Sequence, residues 1–457
     1  MNEHPLITEY RNFSPNSAAF SARASQVFPG GDTRASAHYK PYPLAIERAA
    51  GSRLYDVDGH ELIDFMNNFT SLIHGHAHPE VVAAIQHQAP LGSAYAACND
   101  AQVELAELIQ ARVPSIEQLR FTSSGTEATL MAIRCARAAT GRQKIMKMEG
   151  GYHGSYELAE VSLVPHPQHA GELHAPASTP VDPSFPASVL EDTVICPYNE
   201  PQLARQLIER HNDDLAAIIV EPMLGSMGMV PATAEFLQCL RAMSQEFGIV
   251  LIFDEVITFR LSAAGAQAQY QVTPDLTCLG KIIGGGLPVG AVGGRRDLMA
   301  LFSPDSKSPV MHASTFSGNA MTMAAGLAAM RAYTDSDAER INRLGEQLRS
   351  GFNREFKAAG INAQMFGNGS LSNILFAPNA PKDSRDSLAA MISAGAMSQL
   401  LHLGMLRRGI YSAARLMYAI STPMTSDDID LAISALKDTL AELKPYIERA
   451  NPHLLVA

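Results

Sequence analysis

Lys281 and two acidic residues upstream of it have types and positions that could do chemistry. Lys281 ends the apolar run Asp275-Leu-Thr-Cys-Leu-Gly-Lys and precedes three glycines, while Asp254 and Glu255 end the run Leu251-Ile-Phe. Apolar runs of this length are typical of buried strands, so the charged groups at their ends can be desolvated. Desolvation changes the proton affinity of such groups, which makes the lysine a candidate nucleophile and Asp254 a candidate partner for a buried cation.

A second motif predicts a site for a phosphate group. The residues Ser124, Gly125 and Thr126 follow an apolar run that ends at Phe121, and they lead into a predicted helix. Small hydroxyl groups and free backbone amides at the N-terminus of a helix bind phosphate dianions well. We therefore expect these three residues to form a phosphate cup.

Further candidates stand where other predicted strands end. Tyr152 and His153 follow a pair of glycines, and the Tyr152 ring could stack on one face of a planar ligand. Val256 could cover the opposite face, and Glu221 directly follows a third apolar run. Because ligands bind at the carboxyl ends of parallel strands, we expect these residues to converge on one site.

Together these motifs predict a site for pyridoxal 5′-phosphate (PLP). Lys281 would form the Schiff base, and Asp254 would keep the pyridine nitrogen protonated so that the ring accepts electrons. Each motif has an ordinary alternative, since acidic pairs cap helices, Ser-Gly-Thr forms turns, and lysines before glycines are often exposed. Those alternatives would require several independent coincidences in the order that one cofactor needs.

The elements that must position these residues alternate between short apolar runs and amphipathic helices. This alternation extends over residues 71–330 and predicts an α/β fold, in which helices cover a mostly parallel sheet. Residues 161–190 interrupt the pattern with an irregular stretch rich in proline and histidine. A long irregular stretch inside a domain is usually functional or mobile, so this one could form a lid.

Both ends of the chain are predicted to form a small α+β domain beside the PLP-binding large domain of residues 71–330. The N-terminal segment, residues 1–70, contains a predicted hairpin, and residues 331–457 form the C-terminal part. That part is predicted to begin with a capping box at Ser336–Glu339 and to end with a helix from about Asp427.

Composition argues against several classes of protein. The 457 residues include 35 Lys and Arg against 46 Asp and Glu, and no long basic run occurs, which disfavours nucleic acid as a partner. The sequence contains no run of ~18 apolar residues, so it predicts no membrane-spanning helix. The five cysteines are widely spaced without a CxxC pair, which argues against disulfides and metal sites and favours a cytoplasmic location.

The motifs resemble those of class III aminotransferases of PLP fold type I, from about residue 25 to 440. The stretches Ile252–Ile257, Pro274–Ala291 and Gly293–Met299 are similar to the glutamate-1-semialdehyde 2,1-aminomutase branch of that class. The resemblance implies the roles already given to the lysine, the aspartate and the phosphate cup. It also implies that Thr315 reaches the cofactor phosphate of a neighbouring subunit, in an obligate homodimer with shared active sites.

Two departures from the aminomutase pattern concern the substrate. Arg34 lies in a shorter segment after Pro29-Gly-Gly, and Thr258-Phe-Arg260 lacks a glycine that the aminomutases have. Together with Arg415, the Arg34 segment resembles bacterial β-amino-acid aminotransferases, in which the corresponding arginines bind substrate carboxylates. The planar guanidinium group is well suited to that task.

The resemblance implies ping-pong transfer of an amino group between an amino acid, including a β-amino acid, and a keto-acid acceptor. In that cycle Lys281 is displaced from the Schiff base and then moves a proton as general acid and base. Two alternatives remain open from sequence: an aminomutase that retains its intermediate, and a catalytically silent PLP-binding protein.

Overall fold

The apolar runs that end in charged residues form the central sheet of one of two structural units. The structure is a computed structural model that describes residues 4–456. One unit comprises the chain up to His78 together with Glu339–Ala380 and the chain from Ala389 onward. The other comprises Pro79–Ala338 and Pro381–Leu388. The short segment Pro381–Leu388 thus groups with the large unit, although its position in the sequence places it in the predicted C-terminal domain.

Strands and helices alternate along most of the described chain. The strands are β1 (Ile46–Ala50), β2 (Arg53–Asp56), β3 (Glu61–Asp64), β4 (Gln118–Thr122), β5 (Lys144–Met148), β6 (Gly171–Glu172), β7 (Ala175–Pro176), β8 (Thr193–Cys196), β9 (Leu215–Val220), β10 (Met223–Leu224), β11 (Val230–Pro231), β12 (Val250–Asp254), β13 (Leu276–Gly280), β14 (Gly290–Gly294), β15 (Gln364–Asn368), β16 (Leu371–Leu375), β17 (Ile410–Tyr411) and β18 (Met417–Ala419). The helices are α1 (Pro5–Phe13), α2 (Pro15–Ala24), α3 (Asn67–Thr70), α4 (Pro79–Gln88), α5 (Asp100–Arg112), α6 (Gly125–Thr140), α7 (Glu157–Glu160), α8 (Ala187–Glu191), α9 (Pro201–His211), α10 (Ala234–Phe247), α11 (Ala266–Tyr270), α12 (Arg296–Met299), α13 (Ala320–Ala332), α14 (Asp335–Ala359), α15 (Ser384–Ala394), α16 (Met397–Leu406) and α17 (Ser426–Ala450).

A seven-stranded sheet forms the centre of the large unit. Its strand order is β4-β14-β13-β12-β9-β5-β8, and every pairing is parallel except those of β14 with its two neighbours. Every residue of β9 and β12 is buried, as expected for parallel strands with helices on both faces. The predicted α/β fold with a mostly parallel sheet is therefore confirmed.

Helix α6 packs on this sheet because it has a continuous apolar face. Ala128, Ala132 and Cys135 are fully buried against sheet residues that include Ile219 and Ile252. Small residues on the helix allow a close approach to the branched side chains of the strands. This packing holds the N-terminus of α6 at the carboxyl edge of the sheet.

The smaller unit contains two further sheets. Strands β1, β2 and β3 are antiparallel and β17 joins β3 in parallel. The hairpin predicted in the N-terminal segment is confirmed as β2 and β3. Strands β15, β16 and β18 form an antiparallel sheet.

The capping box predicted at Ser336 is wrong by two residues. Helix α14 begins at Asp335, and Thr334 caps it, because the Thr334 amide donates to Asp337 and the Asp337 amide donates to the Thr334 hydroxyl. Both Thr334 and Ser336 precede an acidic residue by three positions, and the sequence pattern does not distinguish them.

No single helix within residues 4–456 combines the length and the apolar composition needed to cross a membrane. Two consecutive helices together have enough length and apolar composition, namely Ser384–Ala394 and Met397–Leu406. The angle between them is 77°.

Candidate active site

The order of the strands brings the candidate residues to one edge of the central sheet. Asp254 ends β12, Lys281 directly follows β13, and Glu221 directly follows β9. These three strands are neighbours and run parallel, with Asp254 paired to Cys278. The structure therefore places these charged residues together at the carboxyl ends of the strands, as the sequence predicts.

The Asp254 carboxylate is buried and held on both of its oxygens. Its Oδ2 lies 2.8 Å from Nδ1 of His153, and its Oδ1 accepts a hydrogen bond from the amide of Val256 at 3.1 Å. Burial lowers the pKa of His153, although the neighbouring Asp254 acts in the opposite direction. The imidazole is therefore neutral at pH 7, and we assign its Nδ1 proton to the bond with Asp254. His153 thus orients the carboxylate.

Glu221 holds the backbone of the segment that carries Tyr152. Its Oε1 accepts a hydrogen bond from the Tyr152 amide at 2.9 Å, and its Oε2 accepts one from Gly225 at 3.1 Å. Burial and the nearby Asp254 charge raise the pKa of Glu221 to about 8, while Lys281 acts in the opposite direction. Tyr152 is half-buried and its hydroxyl lies 3.1 Å from the hydroxyl of Ser155.

The predicted phosphate cup is the N-terminus of α6. Ser124 is the N-cap and accepts a hydrogen bond from the Glu127 amide at 3.1 Å, while the Glu127 carboxylate accepts one from the amide of Ser123 at 2.7 Å. Within residues 4–456 the amides of Gly125 and Thr126 have no acceptor. Two unsatisfied amides at the start of a 16-residue helix favour an anion there.

Val256 lies between the phosphate cup and the strand that carries the lysine. A Cβ added at Gly125 would lie 3.0 Å from a Val256 methyl, and one added at Gly280 would lie 3.3 Å from the other. A side chain at either position would therefore crowd Val256, and the two glycines leave room for its methyl groups. Lys281 follows with a φ of 48°. This value lies in the left-handed region, where any residue other than glycine is strained.

Thr315 is exposed in the described chain. The hydroxyl of its neighbour Ser314 lies 3.3 Å from that of Ser123, which precedes the cup. The segment with Thr315 therefore lies near the phosphate cup of its own chain, and the contribution of Thr315 to a partner's site stays a prediction.

The two arginines predicted to bind carboxylates both lie over one aromatic ring in the smaller unit. The guanidinium carbons of Arg34 and Arg415 are 5.8 and 5.7 Å from the centre of the Phe69 ring. Arg34 also donates a hydrogen bond to the side-chain oxygen of Asn68 at 3.0 Å. Both contacts fall in the range of cation–π interactions.

Phe69 and Asn68 were not predicted from the sequence. They belong to the short element α3 (Asn67–Thr70), which is a left-handed turn because all four of its residues have φ between 47° and 74°. Consecutive left-handed residues other than glycine are strained, and such strain is concentrated at functional sites. The two asparagines are the available signal, because asparagine tolerates this conformation better than most residues.

The residues of the large unit fit a PLP molecule. A buried carboxylate would pair with the pyridinium nitrogen, and the start of α6 would bind the phosphate. The other ring nitrogen of His153 is buried and has no partner within the described residues, so it is available to a ligand. Fold and site together define a PLP-dependent enzyme whose sheet carries the lysine at a strand end.

Comparison with known proteins gives the family. Residues 34–440 match the family described as Aminotransferase class-III, so the chain belongs to the class III aminotransferases. It is 40% identical over 420 residues to the glutamate-1-semialdehyde 2,1-aminomutase of Thermodesulfovibrio yellowstonii. That alignment covers 90% of this chain and 96% of the relative. It is 39% identical over 454 residues to the beta-phenylalanine transaminase of Variovorax paradoxus, and the alignment covers 98% of this chain and 99% of that relative.

A solved structure supports the same assignment. The omega-transaminase of Sphaerobacter thermophilus superposes with a TM-score of 0.89 and 43% identity over 93% of this chain and 97% of that one. The fold is therefore PLP fold type I, and the enzyme is a PLP-dependent aminotransferase that uses an amino donor and a keto-acid acceptor. The silent PLP-binding alternative has no support from these relatives.

The side chains at the strand ends have distinct tasks. When bound, PLP supplies an electron sink for the charge that develops at the carbon bearing the amino group. Asp254 would keep a proton on the pyridine nitrogen, and its contact with His153 would hold the carboxylate in place for that task. Lys281, at the end of the neighbouring strand, would hold the cofactor, and its amine would serve as the base that takes the proton from the substrate carbon.

Proposed function

We propose that this aminotransferase takes the amino group from a β-amino acid with an apolar or aromatic side chain. The pair of arginines beside Phe69 is the observation that supports this proposal. An arginine that binds the donor carboxylate and an aromatic ring next to it suit a substrate with a charged end and an apolar body. The beta-phenylalanine transaminase of Variovorax paradoxus, similar over almost the whole length, is a relative with such a donor in its name.

The test is a panel of amino donors offered to the PLP-loaded enzyme. The panel contains α- and β-amino acids as separate enantiomers, and the readout is the change in cofactor absorbance on mixing. We expect one enantiomer of an aromatic β-amino acid to react at least ~10-fold faster than its α-isomer, because one carboxylate position suits one spacing. Equal rates for the α- and β-isomers would contradict the proposal.

Variants of the two arginines separate their contributions. We expect Arg415→Ala and Arg34→Ala each to raise KM for one of the two carboxylate substrates by about 10- to 100-fold, since a lost charge-assisted hydrogen bond removes about 1.5–3 kcal/mol. Arg23→Ala, whose guanidinium also lies over a phenylalanine ring but on α2, is the matched control. A KM that stays unchanged in both variants would remove the arginines from the substrate site.

We also propose that the enzyme is a cytoplasmic homodimer with shared active sites. An open cavity of about 810 Å³ lies beside the Ser314–Ser317 segment, and Met311 and Phe316 are exposed there by 67% and 62%. Exposed apolar side chains of this size favour burial by another chain. Five free thiols, three of them buried, suit a reducing compartment.

A second candidate function is that of an aminomutase. The observation in its favour is the 40% identity to the aminomutase of Thermodesulfovibrio yellowstonii. An aminomutase keeps its intermediate and releases no keto acid. The release of a keto acid therefore distinguishes the two functions.

A further inference from the structure

Glu149 is a buried carboxylate that the cofactor site does not use directly. It directly follows β5 and its side chain is 1% exposed. It lies four positions before His153, the partner of Asp254. A buried carboxylate needs a cationic partner with good geometry, because burial otherwise disfavours its charge strongly.

Arg385 is that partner. Its Nε lies 2.7 Å from one oxygen of Glu149 and its Nη2 lies 3.0 Å from the other, which is the bidentate arrangement that arginine forms with carboxylates. The remaining donor positions reach the irregular stretch 161–190. Arg385 donates to the carbonyl oxygen of Gly171 at 3.0 Å and to that of Ala170 at 3.1 Å. One side chain thus joins the end of β5 to this stretch.

The same stretch is held at two more points, one on β5 and one just after it. The fully buried ammonium of Lys147 donates to the carbonyl oxygen of Val161 at 2.6 Å. The amide of Gly150 donates to the carbonyl oxygen of Ser162 at 2.9 Å. These contacts link residues 147–150 to Val161, Ser162 and the Ala170–Gly171 backbone, so we call residues 161–190 the strap.

The segment with Arg385 also packs directly on the turn that leads to the ring-binding residues. A Cβ added at Gly150, which has a φ of 79°, would lie 2.4 Å from Cβ of Ser384. Gly150 therefore requires glycine for its conformation and for the close approach of Ser384. The backbone then runs through Gly151 to Tyr152, whose amide is held by Glu221.

We propose that Arg385 is a positioning residue for the cofactor ring. Its ion pair with Glu149 holds the strand end from which Tyr152 and His153 project, and its bonds to Ala170 and Gly171 keep the strap closed over that strand end. Loss of the pair lets both segments shift together. The cofactor ring is then less well oriented and leaves the site faster. The proposal rests on the PLP dependence of the family and not on the identity of the substrate.

The test compares Arg385→Gln, Arg385→Lys and Glu149→Gln in the PLP-loaded enzyme. For Arg385→Gln we expect cofactor release to be roughly ten-fold faster or more and the visible circular dichroism of the bound cofactor to weaken, because a buried carboxylate loses its partner. We expect Arg385→Lys to restore part of both signals, since lysine keeps the charge but loses the bidentate fork. Should Arg385→Gln fail to fold, Arg385→Lys and Glu149→Gln decide the question.

Proteolysis gives a readout that is independent of the cofactor. Residues 161–190 contain no lysine or arginine, so thermolysin is the suitable protease and trypsin is not. We expect thermolysin to cut this stretch at least ~10-fold faster in Arg385→Gln, since an opened strap exposes its backbone. Arg331→Gln is the matched control, because Arg331 forms an exposed pair with Glu104 in the same unit.

The double variant Glu149→Gln with Arg385→Gln completes the design. If the pair acts as one unit, the double variant releases the cofactor no faster than the worse of the two single variants. Two results would overturn the proposal. One is a double variant in which the effects of the two single variants on cofactor release multiply. The other is an Arg385→Gln enzyme that matches Arg331→Gln in cofactor release, circular dichroism and cleavage rate.

Discussion

Asp254 shows how the environment of one residue sets its task. The carboxylate is 5% exposed, and His153 and the Val256 amide hold its two oxygens. A carboxylate held in this way can keep a proton on a facing ring nitrogen, because pairing of the opposite charges offsets the cost of burying each. The sequence predicts this role, since an aspartate at the end of an apolar run is buried at the sheet edge.

We predict that Asp254→Asn binds PLP but transfers protons at least ~10²-fold more slowly, because the amide no longer favours a protonated ring nitrogen. Stopped-flow absorbance of the reaction with the amino donor alone measures this step. Asp297→Asn, at an exposed site in the same unit, is the control. A rate in Asp254→Asn that equals that of the control would remove Asp254 from the mechanism.

Strand β5 shows how an element can bury a charge for a structural purpose. Lys147 is fully buried, and burial lowers the pKa of its ammonium to about 7 from an ordinary value of 10.5. Between these two values the unfolded chain holds a proton that the folded chain lacks. Lys147 therefore makes the protein less stable at pH 7 than at pH 10, and its contribution rises with pH across that window.

We predict that Lys147→Met weakens this pH dependence. The increase in the free energy of unfolding from pH 7 to pH 10 should be smaller than in the wild type by roughly 1 kcal/mol or more. Chemical denaturation at both pH values measures the difference. Lys144→Met, on the same strand and paired with Asp214 near the surface, should leave the increase unchanged. An equal increase in wild type and Lys147→Met would show that Lys147 stays charged in the folded chain.

The sequence predicts elements well where the evidence is periodic or local. The apolar runs of β9, β12 and β13 identify the parallel sheet, and their ends identify Glu221, Asp254 and Lys281. A capping box is a weaker signal, and at Thr334 two overlapping patterns led to an error of two residues.

Contacts between distant parts of the chain leave no such pattern. Arg385 meets Glu149 across 236 residues, and its segment joins the large unit although it lies among residues of the smaller one. The strained turn that carries Phe69 is likewise set by its surroundings. Neither feature has a periodicity or a spacing that identifies it in the sequence.

At the scale of the whole molecule, we propose that two chains contribute residues to each active site. Thr315 is exposed, and the segment around it lies near the cup of its own chain. The proposed dimer would allow it to reach the cofactor phosphate of the partner. Each active site would then need Lys281 from one chain and Thr315 from the other.

We predict that two inactive variants restore activity when they are mixed. Lys281→Ala and a Thr315 variant that binds PLP weakly, such as Thr315→Asp, should form mixed dimers with one fully wild-type site. After refolding together, about a quarter of the wild-type activity should return, since half of the dimers are mixed and each has one of two sites. No recovery above the sum of the separate variants would show that each site is complete within one chain.

The release of a keto acid tests the central claim most directly. PLP-loaded enzyme is mixed with an aromatic β-amino acid in the absence of any acceptor, and the free keto product is quantified beside the change in cofactor absorbance. An aminotransferase that works through Lys281 releases one keto product per active site and then stops until an acceptor is added. An absorbance change without free keto product would show that the intermediate is retained, and the assignment as an aminotransferase would be contradicted.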